Sequence, residues 1–335
     1  MIGISFYLND PLAEERIALA GKMGVKRAFT SLHIPEESGD LAARAKKLLQ
    51  TAKETGIEVY ADVSLRTPAH LGLDSLFELK ALGVMGLRLD DFFAHETILS
   101  LSKDFKLALN ASILFEEDIR ALIDGGLEAG QLLAWHNFYP RIETGLAELF
   151  FQTQNDLFAR FGIPVCAYIP GDGEKRGPLF EGLPTLESHR GVDPYRAALE
   201  LFSAGVEDVY IGDPEASAAL FEKLIDFDRH RRVVLRVEGF EEGEFRLRPD
   251  FSRDVLRLMD TRSAGAVVPE NTWARPFGTI TRDNDRYGRY RGEVQITIRD
   301  LAADERVNVV GRVAEEDLPL LALLQPGQKV KLIQV

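Results

Sequence analysis

A (β/α)8 TIM barrel followed by a small β-rich domain is the α/β fold this sequence predicts. Three observations carry the prediction. Short β-rich runs alternate with helical patterns eight times before residue 229, close to the usual length of such a barrel. Runs such as Leu132-Leu133-Ala134-Trp135 are continuously apolar, the pattern of a parallel strand covered on both faces. Beyond Arg231 the pattern changes to alternating strand-like segments with few helical stretches. An open doubly wound sheet would carry a glycine-rich phosphate fingerprint after its first strand, and none is present.

The expected barrel strands are residues 2–7, 25–30, 57–63, 85–89, 106–109, 132–135, 164–169 and 208–211. After the first strand, Asn9-Asp10-Pro11 caps a helix with proline just inside its start; Gly24 breaks that helix after Met23. Further helices are expected at 40–55, 67–82 (interrupted by Gly72), 94–102, 116–123, 146–161, 194–203 and 215–228. The helix at 116 opens on acids, which suit the positive end of its dipole. A loop rich in glycine and proline fills 170–193.

The expected domains are 1–231 and 232–335. In the second, strands are expected at 233–237, 244–248, 292–298, 307–313 and 329–333, and helices at 254–259 and 315–324. That reads as a small closed or nearly closed β-barrel.

A net charge of -13 over 335 residues argues against a nucleic-acid or anionic-membrane partner. It leaves room for an anionic small substrate held by local arginines. No apolar run approaches the ~18 residues of a membrane span. The chain enters its first strand without a basic, apolar leader. The single cysteine, Cys166, lies in an apolar run, is expected to be a buried inert thiol, and fits a reducing cytoplasm.

In a parallel barrel, chemistry comes from strand C-termini and the loops that follow. Those positions hold Phe6 and Tyr7, Ser31 and His33, Asp62 and Ser64, then Arg88, Asp90 and Asp91. They continue with Asn110 and Ser112, and with His136, Asn137, Tyr139 and Arg141. Tyr168, Pro170, Asp172, Glu187, His189, Arg190 and Asp213 complete them. No lysine stands among them, against a Schiff-base aldolase, and no serine sits on a G-x-S-x-G elbow.

Carboxylates, aromatics and amides together suit sugar chemistry, where one carboxylic acid protonates the leaving oxygen and a second group acts as nucleophile or base. The candidates are Asp62, Asp90, Glu187 and Asp213, with Asp90 and Glu187 preferred. Each has a structural alternative. Asp213 and Asp91 could cap the helices that follow, and Asp90 could pair with Arg88. His33, His136, His189 and Asp62 could bind a metal, but none falls at ligand spacing such as H-x-H. No metal or cofactor is therefore expected, and contact with a sugar hydroxyl is the preferred role for His136.

With these residues assembled, the chain resembles the bacterial 6-phospho-N-acetylmuramidases of cell-wall recycling. The resemblance rests on Gly86-Leu87-Arg88-Leu89-Asp90, Leu109-Asn110-Ala111-Ser112 and His136-Asn137-Phe138-Tyr139-Pro140-Arg141-Ile142-Glu143-Thr144-Gly145. It extends through Arg176-Gly177-Pro178-Leu179, the run from Glu181 to Arg190, and Tyr210-Ile211-Gly212-Asp213. Leu89-Asp90-Asp91-Phe92-Phe93 departs from it, since a Tyr-Gly pair is expected after the first Asp. The second domain resembles that family's cyclophilin-like β-barrel, through Gly278-Thr279-Ile280-Thr281-Arg282-Asp283-Asn284 and Tyr287-Gly288-Arg289-Tyr290-Arg291-Gly292-Glu293.

The resemblance implies a cytoplasmic hydrolase acting on a disaccharide of 6-phospho-N-acetylmuramic acid and N-acetylglucosamine. Arg88, Arg141 and Arg190 are then expected to hold the phosphate or the lactyl carboxylate. Asn110, His136, Asn137, Tyr139, Tyr168 and His189 are expected to complete the sugar site. The competing readings are a metal-dependent sugar isomerase or hydrolase, and a non-catalytic carbohydrate-binding protein. The arginine-rich segment 282–291 is expected to be a solvated hairpin in preference to a substrate contact. The oligomeric state is left open.

Overall fold

In the computed structural model, residues 1–32, 41–90 and 93–335 are described. Among the expected site residues, His33 and Asp91 lie outside them, as does Asp40 at the expected start of the second helix. The first unit, Met1–Ile225, holds the barrel, and the second is Asp226–Val335. The division falls a few residues before the expected one, inside the last barrel helix.

Eight parallel strands close the barrel: β1 Ile2–Ser5, β2 Arg27–Ser31, β3 Glu58–Val63, β4 Val84–Leu89, β5 Lys106–Asn110, β6 Leu132–Trp135, β7 Val165–Ile169 and β8 Asp208–Ile211. Closure is the pairing of β8 with β1, Ile2 opposite Val209. The helices are α1 Ala13–Met23, α2 Leu41–Glu54, α3 Thr67–Leu71, α4 His95–Leu101, α5 Glu116–Asp124, α6 Glu148–Arg160, α7 Pro194–Ser203 and α8 Ala218–His230. Local sequence explains their ends. Asp193 caps α7 by accepting from Arg196 N–H at 2.9 Å, with Pro194 in the first turn. The expected helix at 67–82 divides at Gly72 into α3 and a 3₁₀ segment, Leu76–Lys80, begun by a Ser75–Glu78 capping box.

Side chains alternate across a strand, so one set of residues fills the barrel interior. That set is aromatic: Phe29, Tyr60, Trp135, Tyr168 and Tyr210 pack with Ala108, Leu133 and Cys166. Trp135 stands among them, its ring centroid 4.3 Å from Tyr210 and 5.5 Å from both Phe29 and Tyr60. Rings this large need small neighbours. A Cβ at Gly86 would lie 2.4 Å from the Tyr60 ring, so β4 approaches only because that position is glycine. Cys166 is buried as expected, and burial pushes its thiol well above the ordinary range, leaving it inert.

The second unit forms a seven-stranded mixed sheet. Its strands are β9 Arg232–Glu238, β10 Gly243–Arg246, β11 Val255–Arg257, β12 Thr279–Asp283, β13 Val294–Thr297, β14 Val307–Val313 and β15 Lys329–Gln334. They run in the order β10-β15-β9-β14-β12-β13-β11. An antiparallel bridge between Leu247 and Leu258 then joins the two outer strands. One expectation is corrected: residues 254–259, read as helical, contain β11, in which Leu256 is buried between half-buried Val255 and Arg257. The expected helix at 315–324 is present as a 3₁₀ helix, Glu315–Leu323, with Pro319 inside, a residue that cannot donate to an α-helical ladder. Strand β12 was not anticipated, because Thr279, Thr281 and Asp283 are polar yet buried.

Segment 282–291 runs from the end of β12 through a 3₁₀ segment, Asp285–Tyr290, and Arg282, Arg286 and Arg291 are paired with carboxylates. Arg282 bonds Glu241 at 2.9 Å, Arg286 bonds Glu305 at 2.6 Å, and Arg291 reaches Asp285 at 3.4 Å. Among the described residues, no helix is long and apolar enough to cross a membrane.

Candidate active site

At the C-terminal ends of the barrel strands lies a cleft of about 620 Å³. Ser31 from β2, Asp62 from β3, Arg88 from β4 and Tyr168 from β7 line it. Asn9, Asp90, Asn137, Phe138, Pro140, Arg176 and Leu183 add to it from the loops. The position is the one parallel barrels use for catalysis.

Its polar centre is Arg88. Parallel register sets Asp62 opposite Arg88 on adjacent strands, and Nη1 donates to Asp62 Oδ1 at 2.9 Å. Two residues along β4 the side chain returns to the same face, which brings Asp90 Oδ1 to 3.6 Å from the same nitrogen. Nη2 donates to Asn137 Oδ1. Burial works against the charge of Arg88, but Asp62 and its neighbours more than compensate, and the guanidinium is held above its ordinary range. Asp62 is almost enclosed, whereas the Asp90 side chain is 39% exposed. Of this pair, Asp90 is the carboxyl open to a ligand.

One wall of the cleft is aromatic. Phe138 meets Tyr168 edge-on, with centroids 5.0 Å apart, and Phe29 stands 6.1 Å from Phe138. Rings in this setting can stack on the apolar face of a sugar. Burial pushes the Tyr168 phenol well above its ordinary range, so it serves as a neutral surface and not as an acid.

His136 is placed elsewhere. Trp135 points into the barrel, so its neighbour points out, and His136 is fully buried against α6 with its ring 4.6 Å from Phe151. Burial lowers its pKa to about 4. The neutral ring fits one tautomer: Nε2–H donates to Asn155 Oδ1 at 2.9 Å, and Nδ1 faces the Ser112 hydroxyl at 3.3 Å. Ser112 Oγ in turn accepts the Asn137 N–H at 2.9 Å. His136 therefore positions Asn137, and through it Arg88, without reaching the cleft.

Glu187 is also displaced from its expected role. Its carboxylate accepts from Arg190 Nε at 2.7 Å and Nη2 at 2.9 Å, from Glu143 N–H at 2.8 Å and from Gly145 N–H at 2.7 Å. Arg190, then the two backbone donors, hold it at a pKa of about 2, too low for a general acid. A Cβ at Gly145 would sit 2.6 Å from Glu187, so the close approach requires glycine. Arg190 also donates to the carbonyls of Glu181, Gly182, Tyr139 and Arg141. The pair fastens the loop after β6 to the loop after β7.

Asp213 does similar work after β8. Enclosed, it accepts from the N–H groups of Gly171 at 3.0 Å, Arg176 at 3.1 Å and Leu183 at 3.4 Å. It braces the β7 loop and does not cap α8. His189 is buried and bonded to Glu200 at 3.0 Å; Asn110 accepts its own Ser112 N–H in a turn. Neither lines the cleft, nor do Tyr139 and exposed Arg141, which contribute backbone carbonyls to Arg190.

Asp62, Asp90, Arg88, Asn137 and Tyr168 are thus brought together, whereas Asn110, His136, Tyr139, Arg141, Glu187, His189, Arg190 and Asp213 do not line the cleft. The cleft includes Ser31, one of the strand-end candidates, and adds Asn9, Phe29, Phe138 and Arg176, which were not among them. Phe138 and Arg176 lie within the quoted motifs and Ser31 at a strand end, which was the available signal. Among the described residues, no group of three or more His, Cys, Asp or Glu could hold a metal ion.

Comparison with known proteins agrees over the whole chain. The family model described as "6-phospho-N-acetylmuramidase, N-terminal" matches residues 2–226, and its C-terminal counterpart matches 232–333. A conserved protein of unknown function from Enterococcus faecalis has a crystal structure similar to this one, with 36% identity and a TM-score of 0.85. The match covers 100% of this chain and 96% of that one. An uncharacterised B. cereus protein is 27% identical with a TM-score of 0.81, covering 99% of both chains. No curated protein matches. With both of its family models matched end to end, the chain belongs to the 6-phospho-N-acetylmuramidase family and is a glycosidase.

Proposed function

We propose that this enzyme hydrolyses the glycosidic bond of 6-phospho-N-acetylmuramyl-N-acetylglucosamine during the recycling of cell-wall fragments in the cytoplasm, with Asp90 as the acid and base. The observation that carries the reading is the pairing of a half-exposed carboxyl, Asp90, with an enclosed ion pair, Asp62–Arg88, in one aromatic-walled cleft. Asp90 gives a proton to the bridging oxygen as the bond to C1 breaks. Among the described residues that line the cleft, Asp90 is the carboxyl with an exposed side chain, and the nucleophile in this reading is the acetamido oxygen of the muramyl sugar itself, which closes onto C1. Asp90, now ionised, takes a proton from the water that opens this ring, so one water is consumed per bond cleaved. Asn137 and the aromatic wall orient the sugar.

The test is release of N-acetylglucosamine from the phosphorylated disaccharide by the full-length protein. Turnover by the native enzyme with a loss of ~10²–10⁴-fold in Asp90→Asn is expected. Tight binding without turnover by the native protein would instead favour a carbohydrate-binding role, and undiminished turnover by the variant would remove Asp90 from the mechanism.

A further inference from the structure

Exposed apolar side chains scattered singly need no explanation, but a group of them beside a ligand cleft does. Three stand on the two loops that border this one: Ile142 after β6, and Leu179 and Phe180 after β7, exposed by 44%, 47% and 61%. Phe180 is the least sheltered, and its backbone lies in the left-handed region at φ 58°. A bulky residue adopts that conformation only at a cost, which glycine would remove. A strained residue whose ring is nevertheless left in water marks a use for that ring.

The group is also held in place. Phe180 N–H donates to the Arg176 carbonyl at 3.1 Å, closing a turn around Gly177 and Pro178, both of which line the cleft. The tip of the Phe180 ring lies so near Gly177 that a Cβ there would stand 3.0 Å from it. Just past Phe180, Arg190 Nη1 donates to the carbonyls of Glu181 and Gly182 at 3.0 and 3.1 Å. Its Nη2 donates to the carbonyls of Tyr139 and Arg141 at 2.9 and 3.3 Å, the latter next to Ile142. One guanidinium thus fixes the backbone beside both Phe180 and Ile142, which gives the Glu187–Arg190 clasp a role at the rim of the cleft. A rim fixed in advance loses little entropy when a ligand settles on it.

We propose that Phe180, with Leu179 beside it, is the platform for the leaving sugar and sets the preference for a disaccharide over a muramyl sugar with a small leaving group. The assignment rests on the function proposed above. Of the two sugars in that substrate, one carries a phosphate and a carboxylate, and the other is neutral with an apolar ring face. An exposed phenyl ring suits the neutral one. Continuity argues the same way, because Gly177 and Pro178 belong to the cleft that holds Asp90, and Phe180 continues that surface towards solvent.

Two ratios measured on the full-length protein test it. One is kcat/KM for the phosphorylated disaccharide over kcat/KM for the methyl glycoside of N-acetylmuramic acid 6-phosphate. The other is the calorimetric affinity for the disaccharide over that for N-acetylmuramic acid 6-phosphate, in proteins that also carry Asp90→Asn to slow its consumption. Phe180→Gly and Phe180→Asn both suit a left-handed backbone, so the fold should withstand them. In each, both ratios should fall by roughly five- to thirtyfold, whereas Phe180→Tyr should keep them. Ratios unchanged in both variants, even with every ligand handled more weakly, would place Phe180 outside the leaving-sugar site and overturn the proposal. A native protein with no preference for the disaccharide overturns it as well. A fall in the glycine variant alone would mark a loosened loop and overturn it too. Failure of the native enzyme to cleave either substrate, with the binding ratio present and lost in both variants, would sink the proposed hydrolysis and leave the platform standing.

Discussion

Arg88 and Asp62 face each other on adjacent parallel strands, and the guanidinium donates to the carboxylate at 2.9 Å in a nearly water-free setting. Removing one member of such a pair leaves the other buried without compensation, a loss of about 3–5 kcal/mol. Asp62→Asn should therefore lower stability on that scale, measured by thermal or urea unfolding. Adding Arg88→Met to it should recover part of the stability and none of the activity. A single variant as stable as the native protein would mean that the pair is dispensable to the fold.

Glu187 and Arg190 join two loops outside the cleft, so their effect on rate should be indirect. Glu187→Gln weakens charge-assisted hydrogen bonds to Arg190 and two backbone groups and should cost about 1–2 kcal/mol. The pH dependence has a definite sign. The folded carboxyl titrates near 2, against 4.5 in the unfolded chain, so its contribution is present above about 4.5 and is lost as pH falls towards 2. Unfolding of native and Glu187→Gln proteins followed over that window should show a shallower acid slope in the variant. Identical slopes would remove Glu187 from the acid response, and a pH–rate profile lacking one limb in the variant would return it to the chemistry.

His136 answers to pH in its own range. Folding keeps it neutral down to about 4, whereas the unfolded imidazole takes its proton near 6.5. Between these values the unfolded chain binds the extra proton, so stability declines as pH falls through the window, by about 1.4 kcal/mol per pH unit at full slope. The His136 ring protons, followed by NMR, should titrate near pH 4, and His136→Gln should lose that acid sensitivity. A midpoint near 6.5 would mean that the ring is solvated and does not hold Ser112 and Asn137 in line.

Much of this site was legible because parallel strands announce themselves and their ends follow from counting. Asp62, Arg88 and Asp90 emerged in this way, and alternation alone sets Arg88 and Asp90 on one face. The same alternation bears on His136. Once Trp135 is taken into the barrel, the next side chain must point out towards α6, a deduction obscured by the density of polar groups after it. Glu187 was harder to judge. Its partners Arg190, Glu143 and Gly145 belong to two loops separated by α6 and β7, and no local pattern tells a clasped carboxylate from a reactive one.

In the second domain, β11 was misread because a three-residue strand is too short to display a period. Strand β12 was missed because its buried positions are threonine and aspartate, which carry no apolar signal.

The sequence by itself determined the barrel, its eight strands, the β-rich second domain and the family, since these depend on periodicities and motifs repeated along the chain. The tertiary structure decided which polar residues meet a ligand and which brace the loops that meet it. That choice depends on through-space partners. Asp90 keeps a side chain that is 39% exposed, Asp213 is enclosed by three backbone N–H groups, and Glu187 is clasped by an arginine and two more. Three carboxylates alike in sequence differ in role because solvation and hydrogen-bond saturation fix their protonation and access, and both quantities exist only once the loops are folded over them.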